Sequence, residues 1–382
     1  MNGIDMPTFF ATIVTGLEDV AAKEVESILG CKAKPDVGKV FFECDIRDAV
    51  LLNFTSRCLH KVFLLLERGT VSSLEDVARL ACNVDYSELI LPSQSFAVRV
   101  EKHGEHALRS LDIAAVVGRS VIESYLASRN VRLAVNLDNP DVELYALLRN
   151  NELLLGLNTT GQSLHRRFYK VFHHRASLMP TIACSMILLS GWEPNESLLD
   201  PMCGSGTILV EAALVARRIA PGLRRGDLAL EKLCFINKEV IEEVRQRLLS
   251  NETKVMVEIH GIDASPKSVD GALANATKAG VVDTVSIRVG DALNLVNYIR
   301  EPPSHIITNP PYGIRMDIRN IERFYERFLT SVKQAAPHAI ITMITSRLVL
   351  VRRIAEALGM QITDVRQLLY GRIQASIIKL VQ

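Results

Sequence analysis

The chain has 382 residues, of which 48% are apolar and 23% are charged, and its formal net charge is +1. That length predicts two or three domains, and the apolar fraction is high enough to give each one a buried core. The near-zero net charge excludes a polycationic, histone-like protein. No basic, apolar leader is visible at the start, and no apolar run approaches the ~18 residues of a membrane span, so we expect a soluble cytosolic protein.

The cysteines bear on the kind of stabilisation the fold can use. There are seven of them, an odd number, and no two are spaced as Cys-x-x-Cys. This usage argues against a disulfide-stapled fold and against a zinc knuckle. We therefore expect no metal.

Two small α/β units are predicted in the first part of the chain. In residues 1–66, FFATIVTG predicts a strand and LEDVAAKEVESILG an amphipathic helix that ends at Gly30, followed by two strands around a second helix. This order is typical of a ferredoxin-like domain. In residues 67–158, two helices enclose the alternating strand SFAVRVEKHG, and three short strands follow them.

A basic segment, residues 159–180, separates these units from the rest of the chain. Its cations and histidines lie together without an acidic residue; they are His165, Arg166, Arg167, Lys170, His173, His174 and Arg175. A solvated connector would explain such a cluster, and so would a path for phosphate groups. Charge also differs on its two sides, because residues 1–160 hold 16 Lys and Arg against 22 Asp and Glu, and residues 161–382 hold 28 against 21.

Residues 181–382 alternate between apolar strands and helices. The predicted strands are SLLD, VEIHGID, VSIRVGDA, SHIITNPP and AIITMITS, and the chain closes with a hairpin. The fold class is therefore α/β, with a Rossmann-like parallel sheet in this region behind the two smaller α/β domains. Ligands bind at the carboxyl ends of such strands, and each motif below lies at one of these ends.

The first motif, DPMCGSGT, runs from Asp200 to Thr207 after the first of these strands. Gly204 and Gly206 permit a tight turn close to a ligand, and the helix that follows offers free N–H groups. The dinucleotide fingerprint is incomplete, because residue 209 is Leu, and there is no P-loop lysine. A purely structural turn is the alternative. The Asp200 carboxylate favours a ligand with a cationic amine and no pyrophosphate over NAD.

Two more carboxylates end the next two strands. Asp263 is placed to accept both hydroxyls of a ribose, and Asp291, followed by Ala292, is placed to accept an adenine amine. A loop-capping role for Asp263 and an N-cap role for Asp291 are the alternatives. Three acids that end three successive strands, the first with a glycine turn, favour a single cofactor site built from all three.

The fourth motif is Asn-Pro-Pro-Tyr-Gly at residues 309–313. The exocyclic amine of a nucleobase is a poor nucleophile because its lone pair is delocalised into the ring. The Asn309 side-chain oxygen and the Pro310 carbonyl could accept both N–H groups, which would localise that lone pair toward an incoming methyl group. Tyr312 offers a face for a base pulled out of its helix. A rigid turn is the alternative.

In this order, the four motifs resemble those of class I S-adenosylmethionine-dependent methyltransferases that methylate amino groups, over roughly residues 175–382. The segments LHRRFYKVFHHRASLMPTIACSMILLSGW and ARRIAPGLRRG resemble parts of RNA guanine-N2 methyltransferases, although Phe168 stands where that family often has glycine. The first half is similar to a ferredoxin-like domain followed by a THUMP domain, which is an RNA-binding unit. Residues 67–158 would be the THUMP domain.

The resemblance implies S-adenosyl-L-methionine as the cofactor and tRNA, through its acceptor stem and 3′ end, as the partner. The residues expected to bind the cofactor are Asp200, Cys203, Gly204, Ser205, Gly206, Thr207, Asp263, Asp291, Ala292 and Asn309. The expected catalytic residues are Asn309, Pro310 and Tyr312. The expected RNA contacts are Arg99, Lys102, Arg119, Arg166, Arg167 and Arg315, and they would be local because residues 1–160 are acidic overall.

The leading hypothesis is a monomeric, cytoplasmic tRNA methyltransferase that makes N2-methylguanosine at position 6 of the acceptor stem, because the domain order is similar to that of archaeal tRNA guanine-6 N2-methyltransferases. Alternatives within the same chemistry are tRNA position 10 and ribosomal RNA. An adenine-N6 DNA methyltransferase would share the Asn-Pro-Pro-Tyr motif but would leave the THUMP-like half unexplained. A non-catalytic RNA-binding protein is disfavoured by the intact Asn309 and glycine turn.

Overall fold

The structure is a computed structural model that describes residues 6–174, 177–312, 321–370 and 373–382. In these ranges the strands form two sheets, one of eight strands and one of seven, with helices packed against both. The first sheet and its helices precede the second along the chain. This two-sheet arrangement confirms the predicted α/β fold class.

The first sheet contains mixed parallel and antiparallel pairs. Its strands are β1 (Thr8–Thr12), β2 (Ala33–Asp36), β3 (Lys39–Glu43), β4 (Lys61–Thr70), β5 (Ser95–His103), β6 (Ala134–Val135), β7 (Val142–Arg149) and β8 (Glu152–Asn158). Its helices are α1 (Glu18–Leu29), α2 (Ile46–Thr55), α3 (Leu74–Cys82) and α4 (Ser110–Arg129). The strand order is β2-β3-β1-β4-β8-β7-β5-β6.

Strand β4 belongs to both of the small predicted domains. Residues 61–64 of the strand pair with β1, and residues 63–70 pair with β8, with a bulge in the register between Leu65 and Glu67. The domain boundary expected at residues 66 and 67 therefore falls on this bulge, inside one continuous strand. A bulge bends a strand and increases its twist, so the sheet can turn there without losing its hydrogen bonding.

Local sequence signals explain where the helices begin and end. Helix α1 ends at Gly30, as predicted, because that residue takes the left-handed conformation with φ of 71° and its N–H donates to the carbonyl of Glu26. Helix α3 begins with a capping box, in which the side chains of Ser73 and Asp76 each accept a backbone N–H of the other.

The second sheet carries the predicted parallel strands. Its strands are β9 (Leu198–Asp200), β10 (Ile259–Asp263), β11 (Val285–Val289), β12 (His305–Thr308), β13 (Ile340–Thr345), β14 (Gln361–Tyr370) and β15 (Ile373–Val381). Its helices are α5 (Pro180–Ser190), α6 (Thr207–Ala216), α7 (Lys238–Ser250), α8 (Pro266–Ala279), α9 (Ile321–Ala335) and α10 (Leu348–Ala357).

The strand order in this sheet, β11-β10-β9-β12-β13-β15-β14, positions the site. The first five strands are parallel, and the closing hairpin is antiparallel, as the sequence predicts. Along the chain, the order runs outward from β9 to β11 and then resumes on the other side of β9 with β12. The carboxyl ends of β9 and β12 therefore flank the crevice where open α/β sheets bind their ligands.

The two halves of the chain pack closely against each other. Gly222 lies so near α2 that a Cβ added to it would be 2.6 Å from the carbonyl oxygen of Asn53. The Gly222 N–H donates to the carbonyl of Phe54 at 2.8 Å, and the Arg57 guanidinium donates to the carbonyl of Ile219 at 2.8 Å. Backbone carbonyls accept both of these hydrogen bonds, so this part of the contact depends on close approach of the two main chains, and the ion pairs Arg47–Glu243 and Arg366–Asp19 join the halves elsewhere.

Candidate active site

A cavity of about 740 Å³ lies at the carboxyl ends of the parallel strands. Its walls come from the glycine turn after β9, the ends of β10 and β11, the segment after β12, helix α9 and the basic linker. The predicted cofactor and catalytic residues that line it are Asp200, Cys203, Gly204, Ser205, Thr207, Asp263, Asp291, Ala292, Asn309, Pro310 and Tyr312. The fold therefore brings together motifs that are up to 112 residues apart in the sequence (Asp200 to Tyr312).

The two glycines of the turn have different neighbours. Both adopt the left-handed conformation, with φ of 52° at Gly204 and 73° at Gly206. A Cβ on Gly206 would be 2.9 Å from the Cβ of Ala272, so this glycine permits close packing of α8 and is not part of the cavity lining. Gly204 lines the cavity, where a Cβ would meet nothing closer than His174 Nδ1 at 3.7 Å.

Asp200 is a buried carboxylate at the floor of the cavity. Its Oδ1 accepts hydrogen bonds from Thr308 Oγ1 at 2.8 Å and from the Met202 N–H at 3.2 Å. Burial raises the pKa of Asp200 to about 7, and the nearby charge of Asp263 acts in the same direction. A cationic amine bound beside this group would stabilise its ionised form.

The other two predicted carboxylates already accept backbone N–H groups, Asp291 within its own loop and Asp263 from both its own loop and the glycine turn. Asp263 accepts from the N–H of Gly204 and the N–H of Ser265, both at 2.9 Å. Asp291 caps the short 3₁₀ helix Ala292–Asn297 by accepting from the Leu293 N–H at 2.9 Å. The capping alternatives therefore hold for both residues. They do not exclude ligand binding, because a carboxylate has about four acceptor positions and both side chains line the cavity.

The Asn309 amide is oriented by a neighbour in its own motif. The Tyr312 hydroxyl donates to Asn309 Oδ1 at 2.5 Å. A carbonyl oxygen has two lone pairs, so this bond alone does not use up the acceptor capacity of Oδ1. The sequence reasoning assigned Tyr312 only its ring face, because a contact between residues three apart depends on the turn that the prolines impose.

Two residues that the sequence reasoning did not select fix the backbone of this motif. The Tyr325 hydroxyl donates to the Pro311 carbonyl at 3.3 Å, and Arg347 Nε donates to the Tyr312 carbonyl at 3.3 Å. Tyr325 lies on α9 and Arg347 precedes α10, so both contacts depend on tertiary packing. No local pattern in the sequence identifies them.

The basic linker contributes a wall of the cavity that was also missed. The linker residues that line the cavity are Phe172, His173, His174, Ser177 and Leu178. Phe324, from α9, lines it as well. The linker lies immediately before the first helix of the second domain, and this position was the available signal that it borders the cavity. Its basic charge favoured the interpretation as a path for phosphate groups.

The prediction that Arg167 contacts RNA is wrong. Its side chain is 1% exposed and its Nε donates to Glu211 Oε1 at 2.8 Å. Its other nitrogens donate to the carbonyl of Leu164 at 2.6 Å and that of Arg57 at 2.8 Å. Tyr169 also donates to Glu211 Oε1, at 2.8 Å. Arg167 therefore joins the linker to α6 and to the first half of the chain, where no phosphate can reach it.

The remaining RNA candidates differ in how accessible they are. Arg119 and Arg166 are exposed. Arg99 is paired with Glu143 and donates to the carbonyl of Leu137, and Lys102 is half-buried with Nζ donating to the carbonyl of Leu108 at 2.6 Å. Arg315 lies outside the described residues, as does Arg175 of the linker. Contact of the four described residues with RNA stays a prediction.

The chemistry of the cavity fits S-adenosylmethionine. Its volume is in the range of small-molecule sites. It offers a buried carboxylate for an amine, two further carboxylates with acceptor positions for hydroxyl and amine groups, and a glycine whose missing Cβ leaves room for a ligand. Within the described residues, no group of three or more His, Cys, Asp or Glu side chains could hold a metal ion. In the same ranges, none of the helices has the length and apolarity needed to cross a membrane.

Fold and site together define a class I methyltransferase whose cofactor is S-adenosylmethionine. The family described as "RMKL-like, methyltransferase domain" matches residues 167–375, the "RlmL ferredoxin-like domain" matches residues 8–63, and the "THUMP domain" matches residues 71–158. The chain belongs to the RMKL-like methyltransferases and carries a ferredoxin-like and a THUMP domain before the catalytic one. The resemblance stated from the motifs is thereby confirmed.

Named relatives cover nearly the whole chain. It is 39% identical to a tRNA (guanine(6)-N2)-methyltransferase of Archaeoglobus fulgidus, over 95% of this chain and 89% of the relative. It is 38% identical to an enzyme of the same name from Methanocaldococcus jannaschii, over 85% and 87%. Among solved structures, SMU.472 complexed with SAH superposes with a TM-score of 0.88 at 21% identity, over 99% of this chain and 98% of that one. At that identity the likeness shows the fold.

Proposed function

We propose that this protein transfers a methyl group from S-adenosylmethionine to the exocyclic N2 of guanosine 6 in the acceptor stem of tRNA. The observation that carries the proposal is that Asn309, with its amide oriented by the Tyr312 hydroxyl, lines the same cavity as the Asp200 carboxylate. Two archaeal relatives named for this reaction match most of the chain, which supports the choice of substrate and position.

In this proposal the three carboxylates hold the cofactor. Asp200 receives its amino group, Asp263 its ribose hydroxyls and Asp291 its adenine amine. The residues of the glycine turn that line the cavity approach it through their backbone; they are Cys203, Gly204, Ser205 and Thr207. S-adenosylmethionine, when bound, supplies an electrophilic methyl group on a sulfonium sulfur. Thr308, which directly precedes Asn309, donates a hydrogen bond from its Oγ1 to Asp200 Oδ1 at 2.8 Å. This bond joins the strand before the catalytic motif to the side chain that would bind the amino group of the cofactor.

The catalytic residues act on the guanine amine. Asn309 Oδ1 and the Pro310 carbonyl accept its two N–H groups, which localises the nitrogen lone pair and directs it toward the methyl donor. The prolines hold these acceptors in place before the substrate arrives, and Tyr312 stacks on the flipped base. A strong base is not needed, because the amine becomes acidic only as its new bond forms, and water or a nearby acceptor can take the proton.

The first half of the chain would bind the tRNA. In this proposal residues 1–66 are the ferredoxin-like domain, residues 67–158 the THUMP domain that docks the tRNA 3′ end, 159–180 the linker and 181–382 the catalytic domain. Arg99, Lys102, Arg119 and Arg166 are the proposed phosphate contacts. A cytoplasmic location is part of the same proposal.

The proposal is tested by incubating the protein with an unmodified tRNA transcript and methyl-labelled S-adenosylmethionine. Nucleoside mass spectrometry should detect N2-methylguanosine, and RNase mapping should assign the label to position 6. A transcript in which that guanosine is replaced by adenosine is the matched control and should gain no label. Label at position 10 would contradict the proposed position. An unlabelled tRNA transcript, together with label in ribosomal RNA incubated in parallel, would contradict tRNA as the substrate.

A further inference from the structure

One side chain of α8 makes hydrogen bonds in two directions. Asn275 is fully buried, and its Oδ1 accepts from the N–H of Val171 at 3.0 Å and from the N–H of Phe172 at 2.9 Å. Its Nδ2 donates to the carbonyl of Phe172 at 3.1 Å and to the carbonyl of Ser205 at 2.9 Å. These four bonds use the full capacity of a side-chain amide, which has two donors and two lone pairs.

The groups joined in this way are two walls of the cofactor cavity. Residues 170–174 and 177–178, here called the linker wall, include five residues of the cavity lining. Ser205 belongs to the glycine turn on the adjoining wall. Asn275 itself is not among the lining residues, so it acts on the cavity only through the backbone that it holds.

A glycine one turn earlier on the same helix serves the same contact. A Cβ on Gly271 would be 2.1 Å from the ring carbon Cδ1 of Phe172, so the Phe172 ring lies directly on the helix backbone. Glycine inside a helix costs about 1 kcal/mol relative to alanine. Residues 271 and 275 are on one face because they are four apart, and that face is fitted to the linker wall.

The far end of the linker wall is also tied to the glycine turn. Lys170 Nζ donates to Ser177 Oγ at 2.6 Å and to the Leu178 carbonyl at 3.1 Å. Ser177 Oγ lies 3.0 Å from Ser205 Oγ, within a hydrogen bond. The wall is therefore attached to the turn at both ends, directly through Ser177 and indirectly through Asn275.

We propose that Asn275 is a positioning residue for the cofactor, which holds the linker wall against the glycine turn so that the cavity is already formed when S-adenosylmethionine binds. A site that is formed in advance loses less of its binding free energy to ordering of the chain. The proposal rests on the placement of the cofactor in this cavity, but it does not depend on which nucleotide is methylated.

The test measures binding of S-adenosylmethionine and of unmodified tRNA separately, by calorimetry and by filter binding, in the full-length variants Asn275→Ala and Gly271→Ala. We expect the affinity for S-adenosylmethionine to fall on the order of tenfold in each variant, because the wall is released in one and displaced by a Cβ in the other. The affinity for tRNA should stay within about twofold of the wild type, because phosphate contacts dominate RNA affinity and neither side chain is exposed.

Asn53 provides a matched control. It is another fully buried amide, bonded to the Ala49 carbonyl and to Thr159 and Thr160 at 2.6 to 3.0 Å, and it lies outside the cavity lining. Asn53→Ala should lower the unfolding temperature by an amount comparable with Asn275→Ala, yet bind S-adenosylmethionine within about twofold of the wild type at a temperature where all variants are folded.

Two results would overturn the proposal. One is wild-type affinity for S-adenosylmethionine in Gly271→Ala, a result that also decides the matter if Asn275→Ala does not fold. The other is an equal loss of cofactor affinity in Asn53→Ala, which would reduce Asn275 to general stabilisation. Failure of the proposed function would be seen differently, as a missing or misplaced N2-methylguanosine alongside the expected binding pattern.

Discussion

The two halves of this chain use their charged residues in opposite ways. In the catalytic half, a carboxylate is buried at the end of β9 and two more lie at the ends of neighbouring strands, where the parallel topology directs them into one cavity. In the first half, cations pair with carboxylates on other strands of the same sheet: Arg99 and Lys61 both pair with Glu143, and Arg68 pairs with Glu152. A parallel sheet concentrates chemistry at one edge, whereas a mixed sheet gives no such point of convergence.

Two adjacent arginines of the linker show the same difference between buried and exposed charge. Arg166 is exposed, and Arg167 is buried against Glu211. Burial excludes phosphate binding for one of them and leaves it open for the other. The following predictions test whether buried charge serves structure and cofactor while exposed charge serves RNA.

The largest effect is expected for Arg167→Ala. Removing the guanidinium leaves the Glu211 carboxylate buried without its ion-pair partner, which should lower the free energy of unfolding by about 3–5 kcal/mol. Urea denaturation followed by circular dichroism measures this change. The neighbouring Arg166→Ala is the control and should change stability by less than about 0.5 kcal/mol. Unchanged stability with weaker RNA binding in Arg167→Ala would contradict the assignment.

Asn309→Ala should lower the single-turnover rate with saturating tRNA by about 10²-fold or more, the cost typical of removing one preorganised transition-state contact. The affinity for tRNA should be nearly unchanged, because the proposed function assigns that binding to the first half of the chain. Tyr312→Phe is the companion variant. It keeps the stacking face and loses the hydrogen bond to Asn309 Oδ1, so we expect only a several-fold decrease. A near-wild-type rate for Asn309→Ala would leave the motif as a turn only.

Asp263→Ala should weaken the binding of S-adenosylmethionine by about 1–3 kcal/mol, because Asp263 is the proposed acceptor for the ribose hydroxyls and its loss would leave them unpaired inside the cavity. Isothermal calorimetry measures the affinity directly. Asp283→Ala is a suitable control, since Asp283 is exposed and pairs with Arg217 outside the cavity lining. Wild-type affinity in Asp263→Ala would remove this residue from the cofactor site.

The raised pKa of Asp200 predicts a pH-dependent affinity for the cofactor. Below the folded-state pKa of about 7 the group is mostly protonated, and only its ionised form can pair with a cationic amine. Affinity should therefore rise by about tenfold between pH 5.5 and pH 7, a range in which the amine stays protonated. Asp200→Asn should bind weakly with no such slope, and an unchanged slope in that variant would assign the titration to another group.

The raised pKa of Asp200 also determines how the stability of the folded protein changes with pH. Without cofactor, the folded protein binds this proton more tightly than the unfolded chain does, since the ordinary pKa is 3.8 and the folded value is about 7. The contribution of Asp200 to stability should thus decrease as pH rises through that window. Thermal unfolding of the wild type and of Asp200→Asn, compared at pH 4.5 and pH 7.5, isolates this contribution.

The smallest effect is expected at the exposed arginines. Arg119→Ala and Arg166→Ala should each reduce the slope of log affinity for tRNA against log salt concentration by about 1 or less, because each removes at most one phosphate contact. Cofactor affinity should not change. Salt titrations of tRNA binding supply the slopes, and a wild-type slope in either variant would remove that residue from the RNA surface.

The sequence predicted the parallel sheet and most of the cavity for a physical reason. Asp200 and Asp263 each end an apolar strand and Asn309 follows one, and the topology rule for parallel strands then brings them to one edge. The same reasoning could not find Tyr325 or Arg347, whose contacts with the Asn-Pro-Pro-Tyr segment join elements far apart in the chain. It also failed for Arg167, because a run of cations does not say which one faces Glu211, 44 residues later.

Strand β4 limits how the domains of this protein can be exchanged with those of a relative. One strand cannot be divided between two bodies that move or are exchanged separately without breaking its hydrogen bonds to β1 or to β8. The ferredoxin-like and THUMP domains of this chain therefore share one continuous sheet, and the bulge between Leu65 and Glu67 bends that sheet without dividing it. A chimera that takes its THUMP domain from a relative would have to take the strands on both sides of that bend with it.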